Sequence, residues 1–439
     1  MNKMIKKMIS FMMLSVIFVA CSSDSSDDET DCPVCPEGET SMMTYAFEDA
    51  DGNSTVSYPG QVVRNLLIND IKTAGANRLS MYNNDADNLT RAISAYSGST
   101  VQEKFGDFTN PDGSQNTSNL SGKIAKSSDS FGVGDATVYG YDLEPDALMK
   151  AWFDAGNTLS YSPDGLDIGQ MIQKGLMGVV SYYQGTSKYL GVLFDQDNSE
   201  ASDATAGKYY TDMEHYWDES FGYFGASRDY LSRTDAEIKS SSAFDTNEDS
   251  QIDYTSEFCS GISVNAAKRD DGSSDFYDFT STIMSAYIQG RHLISTDVAS
   301  ENHAAIRVQR SIIVNNWEML LAANSIHYIN DTMEAIGDGT GWDTSWDASC
   351  TESDASGKCA DYSKYFSEMR GFAMGLQYNT FKMISDSDLN MVYDYMRAAP
   401  EFPATAGLDG MLAYYNDLLA ARDILEAAYG FNSDVVAGW

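Results

Sequence analysis

An all-α fold, a large multi-helix bundle with long loops, is what this sequence predicts, and three observations predict it. Apolar residues recur at a period near 3.6 through much of the chain. No β-α-β rhythm, dinucleotide-binding glycine pattern or phosphate-binding loop interrupts that periodicity. The stretch Ala304–Ile329 is long and apolar on several faces, with Ile312, Ile313, Val314, Trp317, Leu320 and Leu321, so it belongs at the centre of a helical body. Two packed four-helix units are one arrangement compatible with such a body.

The elements follow in chain order. Tyr45 to Ser57 alternates weakly and reads as extended. Pro59 opens a helix through Val62, Val63, Leu66, Leu67 and Ile71, and a short helix fits Asn88–Tyr96. Residues 104–143 are rich in Gly, Ser, Asp and Asn and read as a long decorated loop with room for short strands. Helices are then expected over Ala147–Ala155, Ile168–Tyr183, Ala204–Tyr223, Phe279–Ile294, Ala304–Ile329, Phe366–Met383 and Leu408–Ala428. The second of these carries Gly169, Gly175 and Gly178, which permit close helix contact at a cost in propensity.

The N-terminus predicts export. Lys3, Lys6 and Lys7 precede an apolar run from Met8 to Ala20 that is too short to span a bilayer. The run ends Phe18-Val19-Ala20-Cys21, which resembles a bacterial lipoprotein box opening with Phe in place of the usual Leu. That resemblance implies a signal peptide over residues 1–20, cleavage before Cys21 and acylation of its thiol. Residues 21–43 are acidic, then rich in Pro and Gly, and lack the apolar area that would offset ordering entropy. They read as a tether, which leaves 44–439 as the helical body. The Ser/Asp run after Cys21 resembles the export signal of Bacteroidota lipoproteins and so implies an outer-membrane, cell-surface location.

Charge and cysteines narrow the function classes. With 28 basic against 65 acidic residues the net charge is −37, which argues against nucleic-acid or anionic-membrane partners. Cys350 and Cys359 flank a Ser/Asp/Gly loop that a disulfide would close in an oxidising compartment. Cys32 and Cys35 form a C-x-x-C in the tether, where no helix terminus backs a redox role, and Cys259 stands alone.

The sharpest local signal lies between Phe244 and Phe258. Asp245, Asn247, Asp249, Gln251 and Asp253 occupy positions 1, 3, 5, 7 and 9 of a loop that resembles the EF-hand and dockerin calcium loops, with Ile252 at position 8. Ser250 stands at the usual glycine, and the closing carboxylate arrives one residue late, at Glu257. Calcium held by Asp245, Asn247, Asp249, Gln251, Asp253 and Glu257 is the expectation. A second acidic patch, Asp195, Asp197, Ser199 and Glu200, has less specific spacing.

His215 is the other candidate centre. In a helix it faces both Asp218 and Glu219, so either carboxylate orients the ring or shares a metal. Glu214 and Asp218 repel at i, i+4 unless a cation, proton or basic group compensates. His215, Asp218 and Glu219 are therefore the catalytic candidates, and hydrogen bonding inside an aromatic core beside Trp217, Phe221 and Tyr223 is the competing reading. No zincin H-E-x-x-H and no nucleophile elbow occurs. Glu318 and His327 lie on the most apolar helix, whose start carries Arg307 and Arg310. An arginine across the bundle is the expected partner of Glu318, and Lys174 and Arg370 are comparable buried countercharges.

The segments GKYYTDMEHYWDESFGYFG, FDTNEDSQID, NNWEMLLAANSIHYIND and FSEMRGFAMGLQYN resemble those of the Bacteroidota lipoprotein family of unknown function number 4856, over most of the chain from about residue 44. That resemblance implies a distant relation to imelysin-like helical envelope proteins linked to iron acquisition and sometimes called peptidases. The imelysin H-x-x-E pair is approached by His215 with Asp218 or Glu219. The G-x-H-x-x-E pattern is met only by Gly290 and His292, because Ser295 stands at the acid. The implied role is binding or accessory work in iron or haem acquisition beside an outer-membrane uptake complex. An imelysin-like metallopeptidase and a structural envelope protein whose only small ligand is calcium are the alternatives.

Overall fold

The computed structural model describes residues 43–85, 102–103, 116–126, 137–270, 276–337 and 357–439. The expected signal peptide, nearly all of the tether with Cys21, Cys32 and Cys35, the Asn88–Tyr96 helix and Cys350 lie outside these residues.

The first helices start where proline supplies the pre-set φ and lacks the N–H that a first turn leaves unused. Pro59 opens α1 (Pro59–Ile71) and Pro145 opens α3 (Pro145–Gly156), with α2 (Arg78–Asn83) between them. Asp167 caps α4 (Ile168–Leu176) by accepting from the Gln170 N–H at 3.0 Å. The same rod continues beyond α4 as a π-helix over Met177–Tyr189. Capping boxes start α5 (Asp212–Phe224) at Thr211/Glu214 and α6 (Asp235–Ser240) at Thr234/Glu237. Then come α7 (Ile262–Asp270), α8 (Phe279–Ser295), α9 (His303–Ile336) and α10 (Gly357–Gly375). The chain ends in α11 (Asp386–Met396), α12 (Pro403–Tyr429) and α13 (Ser433–Gly438). Strand structure among the described residues is a two-residue parallel pair, β1 (Gln102–Glu103) with β2 (Gln251–Ile252), plus isolated bridges.

The all-α expectation holds, with shifted boundaries. The helix expected over Ala204–Tyr223 begins only at Asp212. Residues 204–206 form a 3-10 turn that stops at Gly207 with φ +77°, and the Thr211 capping box fixes the true start. The helix expected over Phe366–Met383 instead spans Gly357–Gly375, because residues 376–378 tighten into a 3-10 turn before an irregular loop. The helix expected to end at Ile329 runs on to Ile336. Five short helices, α2, α6, α7, α11 and α13, carry too few turns to show a period in the sequence.

Residues 42–439 form one compact unit. Its axis is α9, which packs along α8, α10 and α12, and α10 in turn packs on α4 and the π-helix. Trp217, Trp317, Tyr182 and Tyr287 are fully buried around this axis. Burying one such apolar side chain is worth about 1.5–3 kcal/mol, more than any single-residue helix propensity, so packing decides the arrangement. One close approach uses Gly178: a Cβ there would lie 2.5 Å from the Gly375 Cα, so the π-helix and α10 touch backbone to backbone. Among the described residues no helix is long and apolar enough to cross a membrane.

Candidate functional site

Helix α5 presents acids on two faces, and the structure gives them different work. The inner face carries Glu214 and Asp218, both buried. The compensating cation their spacing demands is Arg291 of α8, itself fully buried. Arg291 Nε donates to Asp218 Oδ1 at 2.9 Å and Nη1 to Glu214 Oε1 at 2.5 Å. Its Nη2 donates to the Thr55 carbonyl and to Thr55 Oγ1, each at 3.0 Å. Asp218 also accepts from the Tyr45 hydroxyl at 2.6 Å and from the Ser57 N–H at 3.2 Å. Burial pushes the Asp218 carboxyl up despite the opposing pull of Arg291. Ser295, which stands where the G-x-H-x-x-E pattern places its acid, donates to Glu214 Oε1 at 2.8 Å and accepts from Arg291 Nη1. Gly290 of that pattern is a contact residue, since a Cβ there would lie 2.1 Å from the Trp217 ring. Asp218 is therefore a fully bonded core group, and it is not the carboxylate that meets His215.

The outer edge of α5 carries His215 and Glu219, both partly exposed. His215 Nε2 lies 3.7 Å from Glu219 Oε1, its ring stacks on Tyr210 at 4.4 Å, and its Nδ1 has no hydrogen-bond partner. Gln61 Nε2 of α1 fixes the other side of Glu219 Oε1 at 2.8 Å. Tyr189, at the end of the π-helix, is raised by burial and by the Glu219 carboxylate, and its hydroxyl accepts from Lys123 Nζ at 3.0 Å. Burial and Arg64 lower Lys123, and Glu219 opposes them. Tyr216 packs on Tyr189 edge to face. An imidazole, a carboxylate, three tyrosines and a weakened lysine thus share one rim, an arrangement able to bind a ligand or relay a proton.

The 245–257 loop turns its acidic side chains onto its own backbone. Ser250 takes the left-handed conformation, φ +64°, that glycine would adopt more readily, and Ile252 is buried. Asp245 accepts from the Asp249 N–H at 3.1 Å and the Ser250 N–H at 2.9 Å. Asn247 accepts from Asp249 N–H, Asp249 from Gln251 N–H, and Asp253 from Thr255 N–H. Glu257 is buried and bridges the loop, accepting from the N–H groups of Thr246, Asn247 and Asp253. Among the described residues no three His, Cys, Asp or Glu side chains are arranged to hold a metal ion. The second acidic patch spends Asp197 on the Ser199 N–H and hydroxyl.

Glu318 has partners other than the arginine expected for it. Buried in α9, it accepts from the Met383 N–H at 2.7 Å, the Ile384 N–H at 3.2 Å, Asn379 Nδ2 at 3.1 Å and the Tyr429 hydroxyl at 3.0 Å. Burial pushes its carboxyl up to about 7. Lys174 meets Glu368 at 3.5 Å and is lowered to about 8 by burial, as a buried countercharge should be. Arg370 instead donates to the carbonyls of Arg397 and Tyr139 and stacks on Tyr393. His327 faces Asp331 at 3.5 Å, and burial together with Arg269 lowers it to about 4. Cys259 is free and buried, and Cys359 is disulfide-bonded.

Sequence reasoning missed Arg291 and Tyr189. The first was findable, because an i, i+4 acid pair inside an apolar helix requires a cation from another element. The second depends on the π-helical turn, which leaves no periodic trace in so short a stretch. No curated protein and no solved structure matches this chain. The stretch from the end of α3 through α9, which contains both faces of α5, the acidic loop, Arg291 and Glu318, matches a family model: residues 151–348 match the domain of unknown function DUF4856.

Proposed function

We propose that this chain is an exported, lipid-anchored outer-membrane protein of the cell surface or periplasmic face, whose helical body binds a ligand at the His215–Glu219 edge of α5. The observation that carries the binding role is His215 itself: partly exposed, held flat by Tyr210, with Nε2 beside Glu219 at the rim and a buried Nδ1 that has no partner. The inner carboxylates Glu214 and Asp218 have their hydrogen bonds filled by Arg291 and its neighbours, so they are structural. Imidazole and carboxylate suit an iron centre, and with two protein donors the remaining positions fall to the ligand, as they do in haem. A binding or accessory role in iron or haem acquisition, beside an outer-membrane uptake complex, follows. The DUF4856 match over residues 151–348 supports the likeness to that family. The Bacteroidota lipoprotein identity and the imelysin-like relation are argued from the sequence motifs and belong to the same proposal.

The anchor is argued from the basic head, the apolar run and Cys21 at its end. Mass spectrometry of the N-terminal peptide from the membrane fraction tests it. An acylated Cys21 at the mature terminus is expected, and an uncleaved chain with a free Cys21 thiol refutes it. In the same compartment Cys350 is the proposed partner of the disulfide-bonded Cys359.

Calcium at Asp245, Asn247, Asp249, Gln251, Asp253 and Glu257 is part of the reading, with the job of stiffening the loop between α6 and α7. The left-handed Ser250 and buried Ile252 support it, although the carboxylates are turned to backbone N–H groups and the ion would have to draw them inward. Calorimetry on the wild type and on Asp245→Ala decides the point. Calcium heats abolished by the substitution support the site, and identical heats remove it.

A further inference from the structure

Arg307 and Arg310 stand near the start of α9, three residues apart, and both lie over one ring. Arg307 Cζ is 3.7 Å and Arg310 Cζ 5.2 Å from the Phe194 centroid, and Arg310 also lies 5.1 Å from the Phe381 centroid. Cations at this spacing repel each other, so the arrangement needs a reason. Several other cations in this acidic protein meet an acid: Arg291 meets Glu214 and Asp218, Arg233 meets Asp229, Arg397 meets Glu401 and Asp417, and Lys382 meets Asp386. Arg78 and Arg370 instead spend their donors on backbone carbonyls. Among the described residues no carboxylate pairs with Arg307 or Arg310, and the nearby acid Asp297 is engaged with His303 at 3.3 Å. Burial and the neighbouring Arg307 lower Arg310, and no acid offsets them.

Stacking fixes what these side chains can do next. A ring beneath a guanidinium holds its plane and leaves the N–H edge directed outward, the edge that forks onto two oxygens of one oxyanion. Beside Arg310, the ring of Phe381 is 41% exposed and supplies an apolar shelf. We propose that Arg307 and Arg310, laid over Phe194 and bordered by Phe381, form a binding site for an oxyanion carried on a flat apolar face. The site is separate from the His215–Glu219 edge and does not depend on it. A carboxylate on a ring and a tetrahedral sulfate or phosphate share the chemistry that the fork recognises, and the apolar shelf favours the first.

The test is calorimetric titration of the full chain with benzoate, acetate, sulfate and inorganic phosphate at fixed ionic strength. Wild type is expected to bind benzoate at one site, several-fold tighter than acetate. Tighter binding of sulfate or phosphate than of benzoate keeps the fork and assigns the tetrahedral source. Arg307→Gln and Arg310→Gln should each weaken binding about tenfold with the melting temperature held, since each removes one charge-assisted fork. The double variant Arg307→Lys with Arg310→Lys keeps both charges but loses both forks, and it too should bind several-fold more weakly. No binding of any probe by the folded wild type, or wild-type affinity in all three folded variants, overturns the site and leaves the stack as packing alone.

Discussion

Removing Arg291 should unmask the two buried acids of α5, and the size of the loss can be worked from its contacts. Arg291→Met keeps most of the apolar stem and deletes the donors to Asp218, Glu214 and Thr55. Breaking a buried ion pair from one side costs roughly 3–5 kcal/mol, and here two carboxylates lose the same partner, so about 4–5 kcal/mol is expected near pH 8. The pH dependence gives a second signature. Asp218 already has its folded pKa above the unfolded value through burial, and loss of Arg291 raises it further. A group so raised stabilises the fold below its unfolded pKa and loses that contribution as pH rises through the folded pKa. The variant's deficit should therefore shrink as pH falls from 8 to 5. Adding Glu214→Gln and Asp218→Asn to Arg291→Met should recover most of the stability, because the three groups then carry no charge. Urea unfolding monitored by tryptophan fluorescence reads all of this. A deficit under 1 kcal/mol at pH 8, or a deficit flat in pH, would refute the assignment of these carboxylates to the core.

Two further perturbations follow from the same packing. Glu318 has a folded carboxyl at about 7 against an ordinary value of 4.5, so its stabilising contribution is complete below about 4.5 and is lost as pH climbs to about 7. At ~1.4 kcal/mol per pKa unit that loss is on the order of 3 kcal/mol, and Glu318→Gln should flatten the melting-temperature profile across this window. An unaltered profile would remove Glu318 as its source. Gly178→Ala places a methyl 2.5 Å from the Gly375 Cα, a backbone atom that cannot swing aside. A loss of about 1–3 kcal/mol in urea unfolding is expected, and wild-type stability would show that the two helices do not touch there.

What the sequence made legible was set by range. Local signals carried through: proline at the first turn of α1, the glycine run that allows the π-helix to meet α10, and the central place of α9 are visible in residues a few positions apart. The Thr211–Glu214 capping box is an equally local signal, and it sets the start of α5 at Asp212. The pairing of His215 with Glu219 rather than Asp218 was not legible. An isolated helix offers both, and the choice was made by Arg291 arriving from α8 to claim Asp218. Glu318 shows the limit more sharply. Its donors come from the loop before α11 and from Tyr429 of α12, far along the chain, and backbone N–H groups leave no compositional trace.

The division of α5 into a structural face and a binding edge is tested most directly by titrating haemin and ferric iron into the wild type and into His215→Ala, with the melting temperature of each recorded. The account predicts saturable binding of haemin or iron by the wild type, a loss of tenfold or more in His215→Ala, and a melting temperature that stays put because this ring holds no core hydrogen bond through Nδ1. Wild-type affinity in the folded variant, or no binding by the wild type at all, would contradict it.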